Sequence, residues 1–99
     1  MLVHTVFFWL KEELSAADKE AFIDEVKTLK DISDAESVYV GTASETTARP
    51  VIDSSYDVSL TVVLKDISAH DAYQEHEIHQ RFIENNASKW TKGLVYDAD

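Results

Sequence analysis

A tyrosine and two histidines recur at three-residue intervals in the second half of the chain. Tyr73, His76 and His79 lie in the stretch AYQEHEIHQRF, and two further histidines, His4 and His70, stand elsewhere. An imidazole titrates close to neutral pH, so a histidine can act as a general base, and a tyrosine hydroxyl can stabilise a developing negative charge. The spacing indicates a catalytic or binding site, a metal site, or the polar side of a packed helix.

The metal interpretation rests on His76 and His79, three residues apart, with Glu75 adjacent. Such a pair can chelate a divalent ion, but a third ligand would have to be His4 or an acid. This spacing is common by accident on polar helices and is far less specific than the fuller metal motifs. We therefore predict no metal and no other cofactor, and we expect the apolar core to fold without one.

Charge and composition exclude several classes of function. Nine basic residues against nineteen acidic ones give a formal charge of −10, which would repel nucleic-acid phosphates and anionic membrane surfaces. The absence of cysteine excludes disulfides and thiolate sites and fits a reducing compartment. The apolar run TVFFWL is too short to span a bilayer and follows no basic segment. We predict a cytoplasmic protein with neither a nucleic-acid nor a membrane partner.

The chain, 99 residues with 44% hydrophobic, is long enough for one compact domain, predicted over residues 1–99. Periodicity and turn signals predict strands at Leu2–Leu10, in ESVYVGT, over 56–65 and in GLVYD, with a loop over 43–54. They predict helices over 15–30, capped by Ser15 and Asp18, and over 68–88, capped by Ser68 with Asp71. The order βαββαβ predicts an α+β ferredoxin-like fold, in which a four-stranded antiparallel sheet carries both helices on one face. The first and third strands should lie in the centre.

The first strand is apolar on both of its faces. One face carries Leu2, His4, Val6, Phe8 and Leu10, and the other carries Val3, Thr5, Phe7 and Trp9. The helices can cover only one face, and a large bare apolar patch is rare on a monomer. We predict an isologous homodimer through the second face. The alternative is a monomer with a few surface aromatic residues.

The predicted fold can bring His4 and His79 to one pocket. His79 lies about 16 Å down the second helix from Ser68, and His4 lies about 20 Å down the first strand from Leu10. A local break or a 3₁₀ turn near residues 74–78 would reconcile the two apolar faces of this helix. We expect Tyr73 and His79 to face a pocket with His4, His76 to be peripheral and His70 to have no role. Taken alone, each histidine has a simpler interpretation as a core-edge or surface residue.

Three stretches of the chain resemble the stress-responsive dimeric α/β-barrel domain family. They are VHTVFFWLKEELS, YDVSLTVVLKDISAHDAY and YQEHEIHQRF, and the resemblance covers nearly the whole chain. Its most specific marks are the histidine of the first strand and Tyr-x-x-His-x-x-His-x-x-Phe in the last helix. The resemblance implies a ferredoxin-like monomer whose sheet pairs with a second copy to form a dimeric α/β barrel.

The resemblance also implies a candidate chemistry. The plant polyketide cyclases of this family close a linear poly-β-ketone by aldol condensation without a cofactor, through positions that correspond to His4, Tyr73 and His79. There the helix histidine and the tyrosine remove a proton, and the strand histidine binds the substrate's oxygens. The implied ligand is a small apolar carbonyl compound. The family often has proline after the first helix histidine, where this chain has Glu77. The sequence therefore does not decide whether the kink expected in this helix is present.

Two classes of function follow from the resemblance. One is a cofactor-independent enzyme acting on a small carbonyl compound, either cyclase-like or, by analogy of fold, a monooxygenase. The other is a non-catalytic dimeric protein that binds a small ligand or is associated with stress. The fold alone does not choose between them.

Overall fold

The elements follow one another in the predicted order, with the second helical region divided in two. A computed structural model describes residues 1–99. Its regular elements are β1 (Leu2–Leu10), α1 (Ala16–Lys27), β2 (Ala35–Gly41), β3 (Val58–Leu64), α2 (Ile67–Glu75), α3 (Glu77–Asn86) and β4 (Trp90–Ala98). Short 3₁₀ turns follow α1 and α3, at Thr28–Asp31 and Ala87–Lys89. No helix has both the length and the apolar character needed to cross a membrane.

The four strands form one antiparallel sheet in the order β2-β3-β1-β4. The first and third strands are therefore central, as predicted. The buried residues of the helices join those of one sheet face in a single apolar core. This is the predicted ferredoxin-like βαββαβ arrangement.

The core lies between the helices and the alternating inner residues of the two central strands. β1 and β3 alternate strictly between buried and half-buried positions, because successive side chains of a strand point to opposite faces. The inner face of β1 carries four buried apolar side chains and one histidine, His4, which is only 3% exposed. The helices contribute Phe22, Val26, Tyr73 and Phe82 to the same core.

Caps fix the starts of the helices. The predicted capping box of α1 is present, because Ser15 accepts from the Asp18 backbone N–H and Asp18 accepts from that of Ser15. The predicted cap of the second helix is wrong by two residues. Asp66, with an extended backbone, accepts from the Ala69 N–H at 2.8 Å, so the helix begins before Ser68. The last strand likewise begins earlier than predicted, at Trp90.

The predicted break in the second helical region occurs at His76. Its backbone is extended (φ −61°, ψ 142°), and its Nδ1 accepts from the Ile78 N–H at 3.0 Å, which starts α3. The kink therefore forms with Glu77 where the family often has proline. The kink also reconciles the two apolar faces predicted for this helical region, since Tyr73 of α2 and Phe82 of α3 both enter the core.

The other face of the sheet is covered by no helix. Phe7 and Trp9 of β1 are half-buried there, while Tyr39 and Tyr96 on the flanking strands are 65% and 61% exposed. Phe7 packs edge-on to Tyr96, with ring centroids 6.4 Å apart. This face is thus an extended aromatic surface open to a partner.

We expect the chain to form a homodimer through this face. Phe7→Asp would place a charge in a desolvated contact, at a cost on the order of several kcal/mol, and should yield a monomer in sedimentation velocity. Ile67→Asp, at a side chain 58% exposed on α2, is the matched control and should leave the dimer intact. A wild-type monomer at micromolar concentration would contradict the prediction.

The cap at His76 gives a second expectation. His76→Ala removes the acceptor of the Ile78 N–H and should lower the free energy of unfolding by about 1 kcal/mol. His76→Asn retains a side-chain acceptor and should cost clearly less. Urea unfolding of the two variants measures the difference, and equal losses would show that the side-chain cap does not stabilise α3.

Candidate functional site

A cavity of about 330 Å³ lies between α3 and the β1–β4 side of the sheet. Its walls are mainly apolar and include Phe8, Phe82, Trp90 and Val95. The polar side chains at this lining are few, namely His4, Gln74 and His79. Apolar walls with a few convergent polar groups are the usual form of a small-molecule site, and the volume suits a small ligand.

His4 reaches the cavity from the middle of the core face of β1. Its β4 partner in the strand register is Asp97, and the His4 Nδ1–H donates to Asp97 Oδ1 at 2.5 Å. The amide nitrogen of Gln74 lies 3.4 Å from the other ring nitrogen, Nε2. Asp97 therefore selects the tautomer that carries the proton on Nδ1 and has a lone pair on Nε2.

His79 reaches the cavity from the first turn of α3 and is half-buried. Burial lowers its pKa below the usual histidine value, and the nearby charges of His4 and His70 lower it further. Both effects disfavour the imidazolium. His79 is therefore mainly neutral at pH 7 and has a lone pair available to accept a proton.

Tyr73 packs between the two histidines. Its ring centroid lies 5.9 Å from that of His4 and 5.1 Å from that of His79, both in edge-on geometry. The side chain is fully buried, and its hydroxyl has no hydrogen-bond partner within the protein. Burial raises the Tyr73 pKa, so the hydroxyl keeps its proton throughout the physiological range.

The structure brings the rings of His4, Tyr73 and His79 together. His4 and His79 line the cavity, whereas Tyr73 lies behind them in the core and does not face the cavity as predicted. His76 does not line the cavity, because its ring caps α3. His70, to which the sequence analysis assigns no role, lies close to this group, since its ring centroid is 5.2 Å from that of His4. His70 precedes Tyr73 by three residues, and this helical spacing could have placed it on the same face.

Asp97 and Gln74 were not predicted as neighbours of His4. Asp97 meets His4 through the β1–β4 register, and the sequence pattern defined only the approximate span of that last strand. Gln74 follows Tyr73 directly, and its orientation depends on the break that ends α2. Both contacts depend on details of register and helix ending that periodicity does not resolve.

Comparisons with known proteins agree with this fold. A family model described as Stress responsive A/B Barrel Domain matches residues 2–99, while a search of curated proteins finds no match. A Dabb family protein with a ferredoxin-like fold from Mesorhizobium loti is 24% identical, and the match spans 99% of this chain and 94% of that one with a TM-score of 0.79.

Two further solved structures are similar over nearly the whole chain. A dimeric ferredoxin-like protein of unknown function from Thermobifida fusca is 15% identical, with 98% and 88% of the two chains covered and a TM-score of 0.79. The hydroxynitrile lyase of Passiflora edulis is 15% identical, with 98% and 90% covered and a TM-score of 0.78. At these identities the likeness shows the shared fold.

The lowered pKa of His79 predicts a loss of stability in acid. The ordinary pKa of histidine is about 6.5, so as the pH is lowered the unfolded chain takes up this proton before the folded chain does. The free energy of unfolding therefore decreases as the pH is lowered, until the pH lies below the pKa of His79 in the folded chain. Urea unfolding in the presence of a chelator, at pH 7.5, 6.5 and 5.5, measures this dependence. His79→Gln should remove part of the decline, and parallel curves for the two proteins would contradict the assignment.

Proposed function

The chain belongs to the stress-responsive α/β-barrel domain family, and from this premise we propose that it is a cofactor-independent enzyme that removes a proton beside a carbonyl group of a small apolar compound. The observation that carries the proposal is the position of His79 at an apolar cavity that it shares with His4, where burial lowers the pKa of the imidazole. A general base near neutrality suits a C–H bond acidified by two carbonyl groups. The cavity of about 330 Å³ limits the substrate to a small compound.

His79 takes the proton in the first step. An imidazole nitrogen accepts the hydrogen from the carbon beside the carbonyl, and the electron pair of the broken C–H bond forms the enolate. The negative charge appears on the carbonyl oxygen, where a hydrogen-bond donor lowers its energy. The imidazolium of His79 then holds the proton for the second step.

His4 binds the oxygen. Its Nδ1–H is held by Asp97, so the ring has a fixed orientation, and a ligand oxygen that binds at Nε2 takes the place of the long contact to the Gln74 amide, 3.4 Å away. The Asp97 carboxylate balances the charge of a protonated His4, whose Nε2–H then donates to the enolate oxygen. Neutral His4 instead accepts from an enol hydroxyl, and both forms orient a β-dicarbonyl compound.

Tyr73 supports both histidines. Its buried ring contacts each imidazole edge-on, which restricts their rotation. Its hydroxyl keeps its proton but is buried away from the cavity surface, so its part is to pack against the two rings. We assign Tyr73 a supporting part in the proton removal.

The second step forms a carbon–carbon bond. The enolate carbon attacks a second carbonyl group of the same molecule, whose oxygen becomes an alkoxide, and His79 returns its proton to that oxygen. No electron is gained or lost overall, so this aldol closure requires no redox cofactor. The resemblance to plant polyketide cyclases supports this cyclase-like lyase chemistry, and the lyase of Passiflora edulis is a further enzyme with the same fold.

Assembly and location belong to the same proposal. The uncovered aromatic sheet face and the neighbours described as dimeric ferredoxin-like proteins support a homodimer. The small apolar carbonyl ligand is inferred from the family resemblance and from the cavity. The cytoplasmic location is inferred from the sequence alone.

Hydrogen–deuterium exchange tests the first step. In D2O, the wild-type protein should accelerate exchange at the central carbon of a 2-alkyl-1,3-diketone above the buffer rate, as followed by ¹H NMR. His79→Gln should reduce the protein-dependent rate by roughly 100-fold or more, since general-base catalysis contributes about 10²–10⁴-fold. His76→Asn, which keeps a cap outside the cavity, is the matched control and should exchange at the wild-type rate.

The same NMR samples separate the alternatives. If the diketone shifts the His4 and His79 ring signals without faster exchange, the cavity is a binding site and the catalytic proposal is wrong. If neither ring responds to this ligand, both the catalytic and the binding proposal are contradicted for 1,3-diketones. Equal rates for His79→Gln and wild type would exclude His79 as the base.

A further inference from the structure

A second polar cluster lies on the side of His4 where β4 meets the start of α2. It contains His70 of α2, Asp97 of β4 and the neighbouring Asp71. His4 belongs to this cluster through Nδ1, which contacts Asp97, and also lines the apolar cavity. The cluster is therefore separate from the proposed base His79 but shares one residue with the proposed site.

The hydrogen bonds of the cluster leave two electron-rich atoms facing each other. The His70 Nδ1–H donates to Asp71 Oδ1 at 3.1 Å, and this selects the tautomer with a lone pair on Nε2. That Nε2 lies 3.9 Å from Asp97 Oδ2. A lone pair directed at a carboxylate oxygen is unfavourable unless a proton or a metal ion lies between them.

We propose that His4, His70 and Asp97 bind one divalent transition-metal ion of the Zn²⁺ type. One ligand atom of each residue lies within 4.8 Å of the others, and zinc ligands stand about 2.0–2.2 Å from the ion. Ligand atoms at this distance around a tetrahedral ion stand roughly 3.3–3.6 Å apart, so the ligand atoms must rearrange on binding, and Asp97 must draw back from His4, which it contacts at 2.5 Å. His4 is fixed in the core, but the side chains of His70 and Asp97 are 20% and 41% exposed and can supply that movement.

The ligand set determines the class of metal. Two imidazole nitrogens and one carboxylate suit Zn²⁺ and its borderline neighbours, whereas Mg²⁺ and Ca²⁺ prefer oxygen ligands. Three protein ligands leave a fourth position for water. The Asp71–His70 hydrogen bond is the outer carboxylate–histidine contact that commonly orients a metal-binding imidazole.

The metal would also change what His4 presents to the cavity. When His4 Nδ1 binds the ion instead of donating to Asp97, a neutral ring carries its proton on Nε2. His4 then becomes a hydrogen-bond donor to a ligand oxygen without a net charge of its own. This consequence rests on the proposed function, whereas the binding of the metal does not.

Isothermal titration of the chelator-treated full chain with Zn²⁺, without any carbonyl ligand, tests the proposal. We expect one ion per chain, with affinity lowered at least 10-fold in His70→Ala and in Asp97→Asn, and lowered about 10-fold in Asp71→Asn. His76→Asn removes a histidine outside the cluster and should bind as the wild type does. Circular dichroism checks that each variant folds.

Substitution with Co²⁺ provides a second measurement that does not depend on loss of affinity. Wild-type protein should show the visible absorption of a four- or five-coordinate ion, and His70→Ala should lose it. Equal Zn²⁺ affinity in all variants, or a loss confined to His76→Asn, would overturn the proposal and assign the binding to surface carboxylates or to His76. Because no carbonyl ligand is present, these outcomes are independent of whether exchange at a diketone is catalysed.

Discussion

The burial of His4 in the apolar face of a central strand is the constraint on which the site depends. The residue is only 3% exposed and stands among aliphatic and aromatic core residues. A buried polar group is costly unless it is hydrogen-bonded, so the elements around His4 must supply partners. Asp97 does so from β4 and Gln74 from α2.

The break between α2 and α3 is the second requirement of the site. In one uninterrupted helix, Tyr73, His79 and Phe82 could not all point inwards, because their angular positions differ too much. The extended backbone at His76 rotates α3 relative to α2, so that Tyr73 and Phe82 are buried while His79 meets the cavity. The capping residue His76 therefore accompanies a kink in this chain at the place where the family often has proline.

These two features show how far the sequence alone could reach. The alternation of β1 and the order of the elements predicted the fold and the inward direction of His4, because both depend on local periodicity. The competing faces of the second helical region indicated a break or a 3₁₀ turn. The meeting of His4, Tyr73 and His79 was predicted from the matching heights of the two histidines, the shared helix arc and the family resemblance. The closeness of His70 and Asp97 to His4 was not predicted, because their positions depend on where α2 begins and on the β1–β4 register. Those details are decided by caps and strand pairing, which periodicity leaves open by a few residues.

His4 connects the apolar cavity to the polar cluster of His70, Asp71 and Asp97. Its Nδ1 faces the polar cluster and its Nε2 faces Gln74 on the cavity side, and a neutral imidazole carries only one proton between these nitrogens. Whatever holds Nδ1, whether a carboxylate or a cation, therefore decides whether Nε2 accepts or donates. The Asp97 side chain is 41% exposed, so the group that holds Nδ1 stands within reach of solvent and of dissolved cations, although the ring itself is buried.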